Sequence, residues 1–307
     1  YSIAHDIENK HPDITLHAQL VDVCDESGVR SVFNRHLPDI VFHAAAYKHV
    51  PSLQGQIRAA VRNNVIGTDV MARVSCEVGC EKFVLISTDK AVNPTSIMGA
   101  TKRMAEVLVQ ARNEKSHVAF ITVRFGNVLG SAGSVVPLFE RQIAEGGPVT
   151  VTHPDVTRFF MTISEACQLI MQACVQGHGS EIFVLDMGEP IKISYLAKQL
   201  IRMAGLVPDQ EIEIVYTGLR EGEKLVEELF HNEEKLEKTL HNQISLAESR
   251  PLNSESIRNA LSSLTSKVQQ SDADGIEQIM KELVPEYMQG NLVEGAGSAQ
   301  VISFSRR

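Results

Sequence analysis

The sequence predicts an α/β fold, a Rossmann-like doubly wound parallel sheet accompanied by a smaller α/β lobe. Two observations carry this. Short β-branched or apolar runs alternate with helix-length amphipathic segments as far as about residue 190, the rhythm of parallel strands joined by crossover helices. One of these runs, Phe83-Val84-Leu85-Ile86, delivers Ser87, Thr88, Asp89 and Lys90 at its carboxyl end. In open α/β sheets that is where ligands sit.

Strands are predicted over Ile14 to Gln19, Asp39 to Ala46, Lys82 to Ser87, His117 to Val128 and Glu181 to Met187, each a short run rich in strand formers. Helices over about 25–36, 56–79, 97–114 and 164–176 separate them, with apolar positions recurring at three and four. Gly130 to Gly133 and the stretch from Gly146-Gly147-Pro148 to Pro154 interrupt the rhythm and enclose an alternating strand, Val149-Thr150-Val151-Thr152. A substrate lobe is expected to begin here. From Pro190 the pattern predicts a helix (Ser194 to Ala204), a strand (Glu211 to Thr217) and another helix after Gly222. Beyond about residue 232 the chain reads as charged and helical, with two amphipathic helices within 253–288. Gly290 to Arg307 is rich in Gly and Ser and is expected to be mobile.

Composition removes whole classes of function. The 307 residues suffice for about two domains with cores of their own. With 43% hydrophobic and 22% charged residues and no run of 18 apolar ones, disorder and a bilayer-spanning role for this chain are excluded. A net charge of −9, from 29 Lys+Arg against 38 Asp+Glu, disfavours nucleic acid as a partner. Any phosphate handled should be small and held locally. Five cysteines without a C-x-x-C pair suit a reducing, cytoplasmic setting. Cys76 and Cys80 lie four apart, and one buried helix face explains them more simply than a shared metal, so no metal is expected. The chain begins at Tyr1 with neither an initiator Met nor a signal-peptide pattern, and is expected to be a piece of something longer.

Several windows together carry a family resemblance: Val41-Phe42-His43-Ala44-Ala45-Ala46-Tyr47-Lys48-His49-Val50-Pro51, Asn64-Val65-Ile66-Gly67-Thr68, Ile86 to Lys102, Arg124-Phe125-Gly126-Asn127-Val128 and Arg158-Phe159-Phe160-Met161-Thr162. They resemble the extended short-chain dehydrogenase/reductases that act on nucleotide sugars. More narrowly, they resemble the UDP-N-acetylglucosamine 4,6-dehydratases of bacterial polysaccharide and glycan biosynthesis, the source of capsule and O-antigen sugars. The likeness covers roughly residues 1–290. Its most specific part is Ser-Thr-Asp-Lys-Ala-Val-Asn-Pro-Thr-Ser at 87–96 followed by Met-Gly-Ala-Thr-Lys at 98–102. It implies a Rossmann-like NAD(P)-binding domain from residues 1–130 and 155–190, and a nucleotide-sugar domain from 131–154 and 191–235. A helical extension (236–290) and a flexible tail (291–307) follow.

The chain departs from the family pattern twice. Where the family usually has Tyr four residues before the helix lysine, this chain has Met98 before Lys102, and a thioether neither gives nor takes a proton. The Met form resembles the long, membrane-anchored branch of the dehydratases. The sugar C4 hydroxyl must then lose its proton another way, and Asp89, hydrogen-bonded through Thr88 or a water, is the nearest ionisable candidate. Second, the opening strand, glycine-rich loop, helix and second strand are not in the sequence; Tyr1 to Lys10 reads as the end of the helix that follows them. The chain is therefore expected to be a fragment that binds cofactor poorly, from a parent anchored to a membrane.

The resemblance also implies roles. The reaction oxidises C4, removes the C5 proton, expels the C6 hydroxyl as water and returns hydride to C6. Lys90 serves as the C5 base and Asp89 as the acid, with Thr88 beside them and Lys102 reaching the nicotinamide ribose. Lys90 then needs a pKa lowered towards neutrality, by burial near another cation such as Lys102, and Asp89 and Lys90 would titrate as a coupled pair. NAD is the expected cofactor. NADP stays open, because the residue that reads the ribose 2′ position precedes Tyr1. Asp22 and Val23 meet the adenine, Ala44, Ala45 and Ala46 let backbone approach the cofactor, and Asn64 and Ser87 complete its site. Asn127 and Arg158 meet the UDP pyrophosphate, Arg158 through its planar fork. Arg220 and Glu223 meet diphosphate and uridine ribose, and Lys48 with His49 lines the sugar pocket. The expected assembly is a homo-oligomer. Read without the resemblance, Asp89-Lys90 is equally a surface turn, Asp22 a cap, and 218–224 an Arg/Glu-rich helix start. Two rival functions stand beside the dehydratase: a UDP-sugar 4-epimerase on the same fold, and a noncatalytic nucleotide-sugar-binding module.

Overall fold

The computed structural model describes residues 2–114, 116–231, 234–247 and 253–290. Its centre is a six-stranded sheet in the spatial order Ile40–His43, Lys82–Ile86, Ala119–Arg124, Ile182–Leu185, Ile244–Ala247, Leu236–Lys238. The first four strands pair in parallel, and the last two each pair antiparallel with the strand before them. Phe83, Val84 and Leu85 on the second strand, and Ile121 and Val123 on the third, are fully buried. Consecutive burial of this kind means that both sheet faces are covered, which is why these strands read as unbroken apolar runs rather than as alternations.

Four of the five predicted strands form in this sheet. Ile14 to Gln19 does not. A strand exists by pairing, and among the described residues nothing pairs with this mostly exposed segment. The predicted strand His117 to Val128 is also shorter: Ala119–Arg124 joins the sheet, and after a break Asn127–Val128 pairs separately with Phe160–Met161.

The helix predicted over 56–79 is divided into Ile57–Val61, a wide π turn at Arg62–Ile66, and Gly67–Val78. The π turn carries Asn64, and such turns recur where a side chain must be re-aimed. The long helix Ile97–Asn113 starts at Ser96, whose hydroxyl accepts from the Gly99 amide. It is buried from Ile97 through Ala111, because Leu264, Val268, Ile276, Ile279 and Met280, on helices Ser254–Gln270 and Ala273–Leu283, join the core on this side of the sheet.

Two further predictions fail on the far side. Residues 222–231 form no helix. Gly222 has φ +76, and Lys224 gives its ammonium to the Val92 carbonyl at 2.9 Å and to Glu228 at 3.0 Å, so the segment is held by tertiary contacts in an open form. Nor is 236–290 wholly helical. It begins with Leu236–Lys238 and Ile244–Ala247; the second pairs the edge of Ile182–Leu185 that would otherwise stay open, and the first pairs the second. The predicted tail, 291–307, lies outside the described residues.

A separate apolar cluster gathers Phe139, Ile143, Val149, Val151, Val156, Ile193, Ala197, Ile201, Ile212 and Ile214. Its spine is the parallel pair Val149–Val151 with Ile214–Tyr216. Arg158 lies beside this second lobe, on the short strand Thr157–Arg158, which pairs with Ile191–Lys192.

Candidate active site

The site is built at the carboxyl end of Lys82–Ile86. The chain leaves this strand with the Ser87 amide still bonded to the Val123 carbonyl, then folds through a tight turn, Asp89–Ala91, capped by Thr88. The turn brings Lys90 back onto its neighbour: Lys90 Nζ lies 2.9 Å from Asp89 Oδ1, and Thr88 Oγ1 donates to the same oxygen at 2.8 Å. Asp89 is fully buried. The ammonium also donates to Asn127 Oδ1 at 2.9 Å and faces Glu227 Oε1 at 3.7 Å. The helix Ile97–Asn113 closes over the turn so tightly that a Cβ on Gly99 would sit 2.2 Å from the Lys90 carbonyl oxygen. Only glycine allows that approach.

Electrostatics reverse one expectation. Burial pulls the Lys90 ammonium down, but Asp89 and Glu227 outweigh it and hold the pKa above the ordinary lysine value. The lowered lysine is Lys102. Burial pushes it to about 8, with only partial opposition from Glu106, and its Nζ donates to the Ile86 carbonyl at 2.6 Å. The difference is one of partners: Lys90 touches a carboxylate, whereas Glu106 is already engaged by Arg124, Arg103 and the Ser87 hydroxyl.

Around the carboxyl end of Ile40–His43 a second group assembles. Asn64 grips Tyr47 from both directions, its Oδ1 accepting from the Tyr47 amide at 2.7 Å and its Nδ2 donating to the Tyr47 carbonyl at 3.0 Å. This fixes the loop whose Ala44 and Ala45 are exposed, with Ala46 half-buried. His43 Nε2 lies 2.9 Å from the Thr68 hydroxyl, and burial, with Lys102 adding to it, lowers its pKa to about 3, so the ring is neutral. Met98 is buried in the apolar core and offers no proton. Asp22 is exposed, accepts from the Cys24 amide at 2.9 Å and pairs with Arg62 at 3.0 Å; the turn amide and then Arg62 lower its pKa. Val23 beside it is half-buried.

On the other lobe, Arg158 is buried with its fork already engaged. It donates to Glu223 Oε1 at 3.1 Å and to the carbonyls of Thr157 and Leu225, and its Nε faces Glu227 Oε1 at 3.7 Å. Glu223 also accepts from the Thr152 hydroxyl and the Arg220 amide. A phosphate at Arg158 would therefore compete with a carboxylate. The Arg220 side chain is exposed, and the exposed Lys48 lies 3.4 Å from the Ser131 hydroxyl. The structure thus brings Thr88, Asp89, Lys90, Asn127, Arg158 and Glu223 into one connected cluster, and leaves Lys48 and Arg220 on the surface.

Glu227, Glu106 and His43 belong to this site although sequence reasoning did not single them out. The available signal for Glu227 is the run Gly222-Glu223-Lys224-Leu225-Val226-Glu227-Glu228, which falls in the helix the sequence predicts after Gly222. Two buried acceptors, Asp89 Oδ2 and Glu227 Oε2, have no donor among the described residues. Hydroxyl groups of a sugar would satisfy both.

The family's sequence profile, that of the polysaccharide biosynthesis proteins, matches residues 1–249. This chain belongs to that family. It is 51% identical over 221 residues to the probable polysaccharide biosynthesis protein EpsC of Bacillus subtilis (strain 168), covering 72% of this chain and 37% of the relative. It is 50% identical over 236 residues to the capsular polysaccharide biosynthesis protein CapD of Staphylococcus aureus, covering 76% and 39%. The chain spans about two fifths of the length of these relatives. Among solved structures, Pen from Bacillus thuringiensis matches this family member with a TM-score of 0.72 at 30% identity, over 85% of each chain. The dTDP-glucose 4,6-dehydratase DesIV of Streptomyces venezuelae, solved with NAD and TYD bound, matches at 0.65 and 19% identity over 74% of each chain, and shares the fold.

The residues of this polysaccharide biosynthesis protein fit part of a dinucleotide. Lys102 spends one of its three donors on Ile86, leaving two for ribose hydroxyls, and the exposed Ala44 and Ala45 offer a ledge held by Asn64. A glycine-rich turn between a strand and a helix, the usual pyrophosphate cradle, is not found among the described residues. The described residues hold no group of three or more His, Cys, Asp or Glu placed to bind a metal ion, and no helix long and apolar enough to cross a membrane.

Proposed function

We propose that this chain carries the elimination site of a nucleotide-sugar 4,6-dehydratase that acts on UDP-N-acetylglucosamine with NAD. The observation that supports it most is the 2.9 Å contact between half-buried Lys90 and fully buried Asp89 at the end of a central strand, an acid–base pair that C4 epimerisation does not need. The capsular polysaccharide name of one relative and a dehydratase among the matching folds agree with it.

A bound nicotinamide supplies the hydride acceptor and donor for C4 and C6. The chain supplies the protons. Once C4 is a ketone the C5 hydrogen is acidic, and its removal needs a neutral amine beside a carboxylic acid. Passing the proton on Lys90 Nζ to Asp89 Oδ1, across a hydrogen bond already formed, creates both at once. Lys90 then takes the C5 proton, Asp89 gives its own to the departing C6 hydroxyl, and the resting ion pair returns; as C6 is reduced, the Lys90 ammonium gives C5 a solvent-exchanged proton, and the proton released from the C4 hydroxyl makes good that loss. Thr88, on the same Asp89 oxygen, and Asn127, on the ammonium, hold the pair in register. Arg158 and Glu223 meet the UDP end, the diphosphate taking over the guanidinium from the carboxylate. The five free cysteines accord with a cytoplasmic site of action.

The test is turnover of UDP-N-acetylglucosamine in deuterated water by the full-length protein carrying this chain, followed by mass spectrometry and proton NMR. A 4-keto-6-deoxy product with deuterium at C5 is expected. A C4-epimerised sugar with its C6 hydroxyl intact and no deuterium at C5 would make the protein an epimerase. Binding without turnover would make it a nucleotide-sugar-binding module.

A further inference from the structure

Glu227 has the features of a working residue without a place in the mechanism above. Its carboxyl group is 96% buried, Oε1 faces Lys90 and Arg158 at 3.7 Å each, and Oε2 has no donor among the described residues. A buried carboxylate held between two cations, yet with one oxygen unsatisfied, is costly to keep as mere packing. It comes from the segment after Gly222 that abandons helix geometry to lie against the site.

We propose that Glu227 is a positioning residue that holds the Lys90 ammonium as its second carboxylate and governs how readily that lysine hands its proton to Asp89. The charged groups facing Lys90 are Asp89, Glu227 and, further off, Arg158; the cations facing Glu227 are Lys90 and Arg158, the latter shared with Glu223. Transfer of the proton from Lys90 to Asp89 leaves a neutral amine, and the Glu227 charge then loses the ammonium it was stabilising. Glu227 therefore disfavours premature formation of the base. It also joins the two ends of the substrate site. A diphosphate that draws Arg158 away leaves Glu227 with Lys90 as its one facing cation among the described residues, which tightens the hold on the ammonium.

The proposal rests on the elimination reaction for its purpose, but its test does not need turnover. Trace acetylation of Lys90 with acetic anhydride across a pH series, read by peptide mass spectrometry on the full-length protein, measures the fraction of neutral amine. Relative to the wild type, Glu227→Gln is expected to move the Lys90 midpoint down by about one pH unit or more, a change of about tenfold in reactive amine at fixed pH. Glu227→Asp should return it part of the way, and Glu228→Gln, which removes the partner of Lys224 instead, should leave it in place. With UDP-N-acetylglucosamine in deuterated water, the pH limb of C5 deuterium incorporation should move down with the midpoint. A Lys90 midpoint in folded Glu227→Gln equal to or above that of the wild type would overturn the proposal, even if the protein forms 4-keto-6-deoxy sugar. If instead no dehydration occurs in any variant while the midpoint still falls, the hold of Glu227 on Lys90 stands and the dehydratase reading is the one that fails.

Discussion

Arg124 grips Glu106 through two nitrogens inside the core, Nε at 2.9 Å from Oε1 and one terminal nitrogen at 2.7 Å from Oε2, with both side chains fully buried. Glu106 further accepts from the Ser87 hydroxyl at 2.6 Å and from Arg103 at 3.0 Å, and Arg103 reaches Glu286 near the end of the described chain. Arg124 in turn pairs with Glu234. The network ties the residue just before Thr88 to the segment following the last helix, so the turn that holds Asp89 and Lys90 is braced by parts of the chain far away in sequence.

Replacing Glu106 by Gln should therefore cost about 3–5 kcal/mol, because two buried arginines lose their shared counter-charge. Burial raises the Glu106 carboxyl, but Arg124 and Arg103 more than cancel this and hold it down to about 2, against an ordinary 4.5. A carboxyl lowered on folding contributes stability that is complete above about pH 4.5 and is lost as the pH falls towards 2. Chemical denaturation at a series of pH values should show this acid loss in the wild type and a reduced one in Glu106→Gln. Equal slopes would place the acid sensitivity elsewhere.

Lys102 acts in the same direction in an alkaline window, although there it is the charged form that folding disfavours. Its folded pKa of about 8 lies below the ordinary 10.5, so between these values the unfolded chain holds a proton that the folded chain lacks, and stability rises with pH. Lys102→Met has no such term. Comparison of melting temperatures should show the wild type gaining on Lys102→Met as the pH rises from 8 to 10.5. A constant difference across that window would mean that Lys102 is not held below its ordinary pKa.

Gly99→Ala should damage the site from behind. The added methyl would lie 2.2 Å from the Lys90 carbonyl oxygen, a backbone atom that cannot swing aside as a side chain can. The start of the helix or the turn must shift, at a cost of about 1–3 kcal/mol. Loss of C5 deuterium incorporation out of proportion to the fall in melting temperature is the expected signature, and unchanged kinetics would show that the turn tolerates displacement.

Asp89→Asn keeps the shape and removes the acid. Glu227 remains beside Lys90, so the fold should survive, with a melting temperature near that of the wild type. Formation of 4-keto-6-deoxy sugar should fall by about 10²–10⁴-fold. Retained dehydration would take Asp89 out of the proton path.

Much of this arrangement could be read from local pattern. Phe83 to Ile86 followed by Ser87 to Lys90 declares a buried strand with polar residues at its carboxyl end, because burial on both faces needs a continuous apolar run. The predicted strand at Ile14 to Gln19 failed for the complementary reason: a strand-like run is completed only by a neighbour, and none is present among the described residues. Residues 222–231 show the same limit, since Lys224 forgoes a helix for the Val92 carbonyl, a partner no local window contains. Ile244–Ala247 is a strand rather than part of a helix because the edge of Ile182–Leu185 lies open beside it.

By itself, then, the sequence determined the α/β rhythm, the placing of Asp89 and Lys90 directly after a buried strand, and the absence of a proton-exchanging group at Met98, all of which depend on identity and short spacing. The tertiary structure alone decided which lysine is lowered, that Arg158 already holds a carboxylate, and that Glu227 and Glu106 belong to the site. Those outcomes depend on the distance between charges and on the water removed around them, and both are set by segments that meet only after folding.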